Sequence, residues 1–183
     1  SVYKRTADDA SADWEAITPP AEGWLCQDIA LIGDTIVALF FDTAGTESYL
    51  YTLDGSTFKK ITDQPISNKY CTNLVSISEP ETGTDSDVLL VNCRESSYSF
   101  SVYSSTDGTT FTQSTFDDRT DNLLPQTVDD GSYFSSDETT WELWIVNGDR
   151  LYTSSDNGAT FTAAGSRSEE HTSELQSLLI ISY

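Results

Sequence analysis

The sequence predicts an all-β chain made of repeated four-stranded antiparallel units. Three observations carry that expectation. The segment Leu151-Tyr-Thr-Ser-Ser-Asp-Asn-Gly-Ala-Thr-Phe161 has two shorter relatives. One runs from Ser105 through Asp107, Gly108 and Thr110 to Phe111, the other from Thr52 through Asp54, Gly55 and Thr57 to Phe58. Their glycines stand at 55, 108 and 158, a recurrence of about 50 residues, in the range of one four-stranded blade of a β-propeller. Between the copies the apolar residues fall in short alternating runs. No window holds the i, i+3, i+4 pattern of a helix outside the last 17 residues. The expected architecture is a partial β-propeller, an open fragment of about three and a half blades.

Taken in order, residues 1–20 form the first, partial unit. Ser1–Thr6 reads as a strand, Ala7–Asp13 as a turn that lacks the glycine, and Trp14 as the aromatic that follows it. Ile17-Thr-Pro-Pro20 then stops the strand, because consecutive prolines cannot continue a ladder. The second unit, 26–62, has strands expected at 26–32, 35–41, 48–53 and 57–62, with Gly33-Asp34 as its first turn. The third, 71–115, has strands near 72–78, 87–94, 98–105 and 110–115, with a longer first turn at Pro80-Glu-Thr-Gly-Thr-Asp-Ser86. The fourth, 126–165, has strands near 127–134, 140–147, 150–155 and 160–164; its run Trp141-Glu-Leu-Trp-Ile-Val146 suits burial between sheets.

Each copy of the repeated segment follows an apolar strand and precedes a Thr-Phe pair, so it reads as strand, tight turn, strand. Aspartate fits the turn because its carboxylate accepts nearby backbone N–H groups. Glycine fits because such turns require positive φ. The phenylalanine is expected to insert between sheets. A single Asp-Gly would be an ordinary hairpin signal; three copies with the same flanks at near-constant spacing are a repeat. Residues Asp54, Gly55, Thr57 and Phe58; Ser105, Asp107, Gly108, Thr110 and Phe111; and Ser154, Asp156, Gly158, Thr160 and Phe161 resemble the Asp-box, or BNR repeat, of sialidase-like and sortilin-like β-propellers. The resemblance covers most of residues 1–165. It implies an architecture and not a reaction, since this box is a scaffold motif.

In the sialidases of that superfamily, three arginines bind the substrate carboxylate, a Tyr/Glu pair supplies the nucleophile and an aspartate is the acid/base. Arg5, Arg94, Arg119 and Arg150 are the arginines available before residue 167, and none lies in an Arg-Ile-Pro context. No catalytic residue is carried over. Two acidic loops, Phe116–Asn122 and Val128–Ser132 with Asp137-Glu138, could offer oxygen ligands to Ca²⁺. They lack the Asp-x-Asp-x-Asp-Gly spacing, and solvated loops are the preferred reading. No metal residue and no cofactor are assigned.

Cys26, Cys71 and Cys93 are the cysteines. If the hairpin of the third unit turns near residues 82–83, Cys71 lies almost opposite Cys93, and a cross-strand disulfide is geometrically reasonable. Two buried free thiols are the alternative. A disulfide would place the chain outside the cell or in the secretory lumen. No Asn-x-Ser/Thr site is present, and no Cys-x-x-Cys or His/Cys pair suggests zinc.

The chain has 30 acidic and 9 basic residues, a formal charge of −21. Such a surface repels nucleic acid and anionic membranes. No apolar run is long enough to span a bilayer and no signal peptide is recognisable. Ser1 reads as an interior residue of a longer protein. At the other end, Arg167-Ser-Glu-Glu-His-Thr-Ser-Glu-Leu-Gln-Ser177, followed after three residues by Ile181-Ser-Tyr183, resembles the in-frame translation of a common sequencing adapter. Residues 167–183, which hold His171, the one histidine, are therefore set apart from the fold. Without Arg167, Glu169, Glu170 and Glu174 the balance is 27 acids to 8 bases, a charge of −19. The functional expectation is a non-enzymatic binding or scaffold module with a protein or carbohydrate ligand. The alternative is a fragment of a glycoside hydrolase, sialidase-like or xyloglucanase-like, with its catalytic residues elsewhere.

Overall fold

The computed structural model describes residues 2–5, 13–62, 64–66, 69–78, 87–96, 99–117, 128–134, 142–147 and 150–166. These residues form strands and connecting turns, with no helix among them. A two-stranded pair comes first, β1 (Val2–Lys4) with β2 (Glu15–Ile17). Sheet I follows, with β3 (Leu25–Ile32), β4 (Thr35–Phe41), β5 (Ser48–Asp54) and β6 (Thr57–Lys60) side by side in chain order. Sheet II has β7 (Tyr70–Ile77), β8 (Val88–Ser96), β9 (Ser99–Ser105) and the short β10 (Thr112–Gln113). Sheet III has β12 (Val128–Phe134), β13 (Glu142–Asn147), β14 (Arg150–Ser154) and β15 (Thr160–Ser166), edged by β11 (Thr115–Phe116). Pairing is antiparallel except for β11 on β15. No sheet closes on itself.

The sheets stack in chain order because their central strands are apolar on both faces. In β8, Leu89, Val91 and Cys93 pack against Val37, Leu39 and Leu50 of sheet I, while Val88 and Leu90 pack against Leu143, Ile145 and Phe161 of sheet III. A side-chain period of two turns a continuous apolar run into two buried faces. The other face of sheet I holds Ala38, Phe40 and Tyr51 under Val2 of β1.

The repeat is visible in the backbone register. The first strand of each sheet slips by one residue at the same place: between Cys26 and Asp28, Cys71 and Asn73, and Val128 and Asp130. Such a bulge bends the strand and re-aims the residues beyond it. Matching the sheets on these bulges makes Tyr51, Tyr103 and Tyr152 equivalent. They pair with Ala38, Val91 and Ile145, each two residues before the partner of Cys26, Cys71 or Val128, and each is buried.

Polar side chains also join one sheet to the next. The Asn92 carboxamide donates to the Val128 carbonyl and accepts from the Val128 N–H, both at 2.9 Å. Leu74 N–H of sheet II donates to Asp28 Oδ2 of sheet I at 2.8 Å. Within sheet I, Gln64 binds both backbone groups of Leu50, beside the ladder position where β6 has ended.

Two expectations are corrected. The last strand of the third unit, expected at 110–115, divides at Ser114. Ser114 N–H donates to the Val102 carbonyl of sheet II and its hydroxyl to the Gly158 carbonyl of sheet III, so the chain crosses between sheets there. Trp14 does not take a core position: it is 64% exposed, one residue before β2, with the Arg5 guanidinium 5.6 Å from its ring centroid. The glycine-free turn expected at Ala7–Asp13 lies outside the described residues except for Asp13. Also outside are the 80–86 turn, Arg119, residues 118–122 of the first acidic loop, Asp137-Glu138 of the second, Trp141 and the tail from 167, whereas Val128–Ser132, read as an acidic loop, is part of strand β12.

Candidate functional site

Two of the three expected boxes close into the same hydrogen-bonded ring. In the second copy, Ser105 Oγ accepts from Gly108 N–H at 2.9 Å, and Asp107 Oδ1 accepts from Thr109 and Thr110 N–H at 2.7 and 2.6 Å. In the third, Ser154 Oγ accepts from Gly158 N–H at 2.9 Å, and Asp156 Oδ1 accepts from Thr160 N–H at 2.7 Å. In both, the serine hydroxyl also donates to its aspartate. The third ring holds one residue more. Asn157 absorbs it by taking φ 56, a left-handed conformation asparagine tolerates.

The electrostatics follow from those bonds. Partial burial would raise the Asp107 carboxyl, but the N–H groups of Thr110 and Thr109 outweigh it and hold it down at about 2. For Asp156 burial also acts upward, and the bonds from Thr160 and Ser154 overcome it, so its carboxyl lies below the usual value. These carboxylates stay ionised and face their own backbone. A proton donor or acceptor for chemistry needs the opposite tuning.

Each closed box is seated on the preceding sheet through its glycine. A Cβ on Gly108 would lie 2.8 Å from Ile32 Cγ2 and 3.0 Å from Val37 Cγ2 of sheet I. A Cβ on Gly158 would lie 3.2 Å from Ser104 Cβ and 3.3 Å from Leu90 Cδ2 of sheet II. Val37 and Leu90 are equivalent residues in the bulge-matched register. Phe111 and Phe161 enter the same two interfaces and are buried.

The first copy differs. Tyr51 matches Tyr103 and Tyr152, which puts Leu53, not Thr52, at the place of Ser105 and Ser154. The copy has no hydroxyl there and one residue fewer before its aspartate. Asp54 pairs directly with Thr57 across a two-residue turn, Gly55-Ser56, and its carboxylate is bound to the Lys59 ammonium, which lowers its pKa. Gly55 keeps its positive φ of 61, yet nothing lies within 4 Å of a Cβ there. Phe58 is half-buried, edge-on to Phe40. The first copy is an ordinary hairpin turn, in which Asp54, Gly55, Thr57 and Phe58 do not form the ring made by the other two.

Cys71 and Cys93 lie directly opposite across β7 and β8, are joined by a disulfide and are fully buried. Cys26 is a free thiol, with its pKa raised by burial and then by Asp28.

A tyrosine–glutamate pair is present, though in the wrong electrostatic setting for a nucleophile. The Tyr49 hydroxyl donates to the Glu47 carboxylate, and that bond pushes the phenol up to about 12. Trp24 stacks on the Tyr49 ring at 4.9 Å and the Lys60 ammonium lies 4.1 Å from its centroid. Among the described residues no group of three or more His, Cys, Asp or Glu side chains converges as a metal site would require. A shallow, open depression on sheet III is lined by Glu142, Thr153, Ser155, Asp156, Thr160 and Thr162. No described helix is long and apolar enough to cross a membrane.

The inter-sheet residues Asn92 and Asp28, and Gln64 on the ladder of sheet I, escaped the sequence reading. Asn92 did carry a signal: it interrupts the apolar run Val88–Cys93 at a position that alternation buries.

No protein-family model matches the chain, and no curated protein matches it.

Proposed function

We propose that the chain is part of an Asp-box β-propeller and serves as a binding or scaffold module, not as a catalyst. Sheets I, II and III would be consecutive blades, and β1–β2 the outer half of a fourth. Support comes from the stacking of the sheets in chain order, the bulge repeated in each first strand and the equivalent seats of Gly108 and Gly158. The single observation behind the non-catalytic reading is the fate of the box carboxylates. Asp107 and Asp156 are held ionised by the backbone of their own turns, so they fix shape and neither is tuned for proton transfer.

The ligand would be a protein or a carbohydrate, met by the connecting loops of the blades. The buried Cys71–Cys93 disulfide suits an extracellular or lumenal setting. Two measurements on the purified chain test the reading: a glycan-array and protein-capture screen, and a panel of fluorogenic glycosides. Saturable binding to one ligand class without fluorophore release is expected. Turnover of any glycoside would overturn it, and turnover that survives Tyr49→Phe and Asp107→Asn would place the catalytic centre elsewhere in the chain.

A further inference from the structure

The residue that lengthens the third box also changes its chemistry. Each box glycine follows an aspartate or an asparagine: Asp54-Gly55, Asp107-Gly108 and Asn157-Gly158. In such a pair the glycine nitrogen can attack the neighbouring side-chain Cγ, because glycine has no Cβ to shield it. Asp54 and Asp107 are held as carboxylates, which resist a nucleophile. Asn157 is exposed and ends in a neutral carboxamide, whose nitrogen can leave as ammonia.

The closed ring stands in the way of that reaction. Gly158 N–H donates to Ser154 Oγ at 2.9 Å, and the Gly158 carbonyl accepts from the Ser114 hydroxyl at 2.6 Å. Ala159 N–H bonds back to the Asp156 carbonyl across Asn157. Gly158 itself is buried, with Ser104 and Leu90 against the place a Cβ would take. To attack, the nitrogen must give up its proton and turn toward Asn157 Cγ, and either move breaks the bond to Ser154. The reaction therefore belongs to the moments when the box is open.

We propose that Asn157 is a self-modification site gated by closure of the third box. When the box opens, the Gly158 nitrogen bonds to Asn157 Cγ. The C–N bond of the carboxamide breaks, and its NH₂ leaves as ammonia with the proton from Gly158. The cyclic succinimide is then opened by water at either carbonyl, giving aspartate or isoaspartate. Both products add a negative charge beside Asp156. Isoaspartate also routes the main chain through Cβ, one atom longer, so Gly158 loses its bond to Ser154 and its seat on sheet II. The change is irreversible, so each opening counts toward a permanent loosening of sheet III.

The test is peptide mapping of the purified chain by mass spectrometry during incubation in mildly alkaline buffer, where exchange of the amide for a carboxyl makes the product about one dalton heavier. The folded wild type is expected to convert Asn157 at least ~10-fold more slowly than the same chain in urea. Ser154→Ala, which removes the acceptor of Gly158 N–H, is expected to convert it ~5-fold faster than the wild type while folded by circular dichroism. Asn147-Gly148, the other Asn-Gly pair of the sequence, should convert at one rate in both proteins. Should Ser154→Ala fold poorly, the wild type in urea below its unfolding midpoint replaces it: conversion of Asn157 should rise in step with hydrogen exchange at the Gly158 amide. Converted protein, separated by anion exchange, should unfold at a lower urea concentration than fresh protein. Equal rates in the folded and denatured chain, an unchanged rate in folded Ser154→Ala, or an equal rise at Asn147 overturns the proposal. So does conversion that does not follow Gly158 exchange, or converted protein as stable as fresh.

Discussion

Asn92 and Val128 close a two-point hydrogen-bonded ring between sheets II and III, both contacts being 2.9 Å long and buried. The carboxamide does for two sheets what a backbone amide does for two strands. It satisfies the donor and acceptor of the first residue of β12, which pairs with Asn147 just before the bulge between Val128 and Asp130. Replacing Asn92 by leucine leaves both groups of Val128 buried without partners. A loss of ~2–4 kcal/mol is expected, read from the midpoint of urea unfolding. An unchanged midpoint would mean that the ring is not formed in solution.

The three box glycines should respond differently to alanine. Gly108 combines a φ of 70 with a Cβ position 2.8 Å from Ile32 Cγ2, and Gly158 a φ of 82 with close neighbours in Ser104 and Leu90. Gly55 has the φ but open space around it. Gly55→Ala should cost ~1 kcal/mol through backbone strain alone, whereas Gly108→Ala should cost ~2–4 kcal/mol because sheet II must also move off sheet I. Equal losses at both sites would remove the distinction between a seated box and a free turn.

Acid should weaken the boxes in a defined window. The Asp107 carboxyl sits at about 2 in the folded chain against an ordinary 3.8, so it favours folding fully above the ordinary value. That contribution disappears as pH falls from ~4 toward ~2, and because the group is mostly open to solvent it amounts to ~1 kcal/mol. Asp107→Asn keeps an acceptor oxygen and cannot titrate. Its stability should be flatter than the wild type's between pH 5 and pH 2 by about that amount. A parallel pH dependence in the two proteins would refute the assignment.

The disulfide joins residues 22 apart in sequence. In the chain-entropy account a loop of that size contributes ~3 kcal/mol. Both sulfurs are buried, so dithiothreitol should reduce the bond only at denaturant concentrations that open sheets I and II. Its neighbour across the ladder, Ser101, buries a hydroxyl with no hydrogen-bond partner among the described residues. Ser101→Ala should be neutral or stabilise by up to ~1 kcal/mol in thermal unfolding.

Strand placement was legible because each signal was local. Gly33-Asp34, the continuous apolar run of Thr35–Phe41 and the run Leu89–Val91 each mark a turn or a strand without help from distant residues. The turn of the first copy was misread for the same reason. Its Thr-x-Asp-Gly letters match the other boxes, but the alignment that matters is set by Tyr51, and only pairing with Ala38 reveals it. The inter-sheet residues were hidden because nothing near Asp28 announces that its partner is Leu74, or near Ser114 that its hydroxyl reaches Gly158. Such bonds depend on how the sheets stack, which short-range pattern does not encode.

Ser114 has one more consequence, for the order in which the molecule opens. Beyond it, β11 runs along β15: Thr115 N–H donates to Ala159, Asp117 N–H to Phe161, and the Asp117 carboxylate accepts from Ala163 N–H. A strand that leaves sheet II is thus stitched along the rim of sheet III, and β15 cannot peel away without unzipping it. Sheets II and III should therefore exchange their amide hydrogens as a single cooperative block. Sheet I has no such stitch on β6 among the described residues; its tie to sheet II is the shared apolar core and bonds such as Leu74 N–H to Asp28, so it should open before that block does.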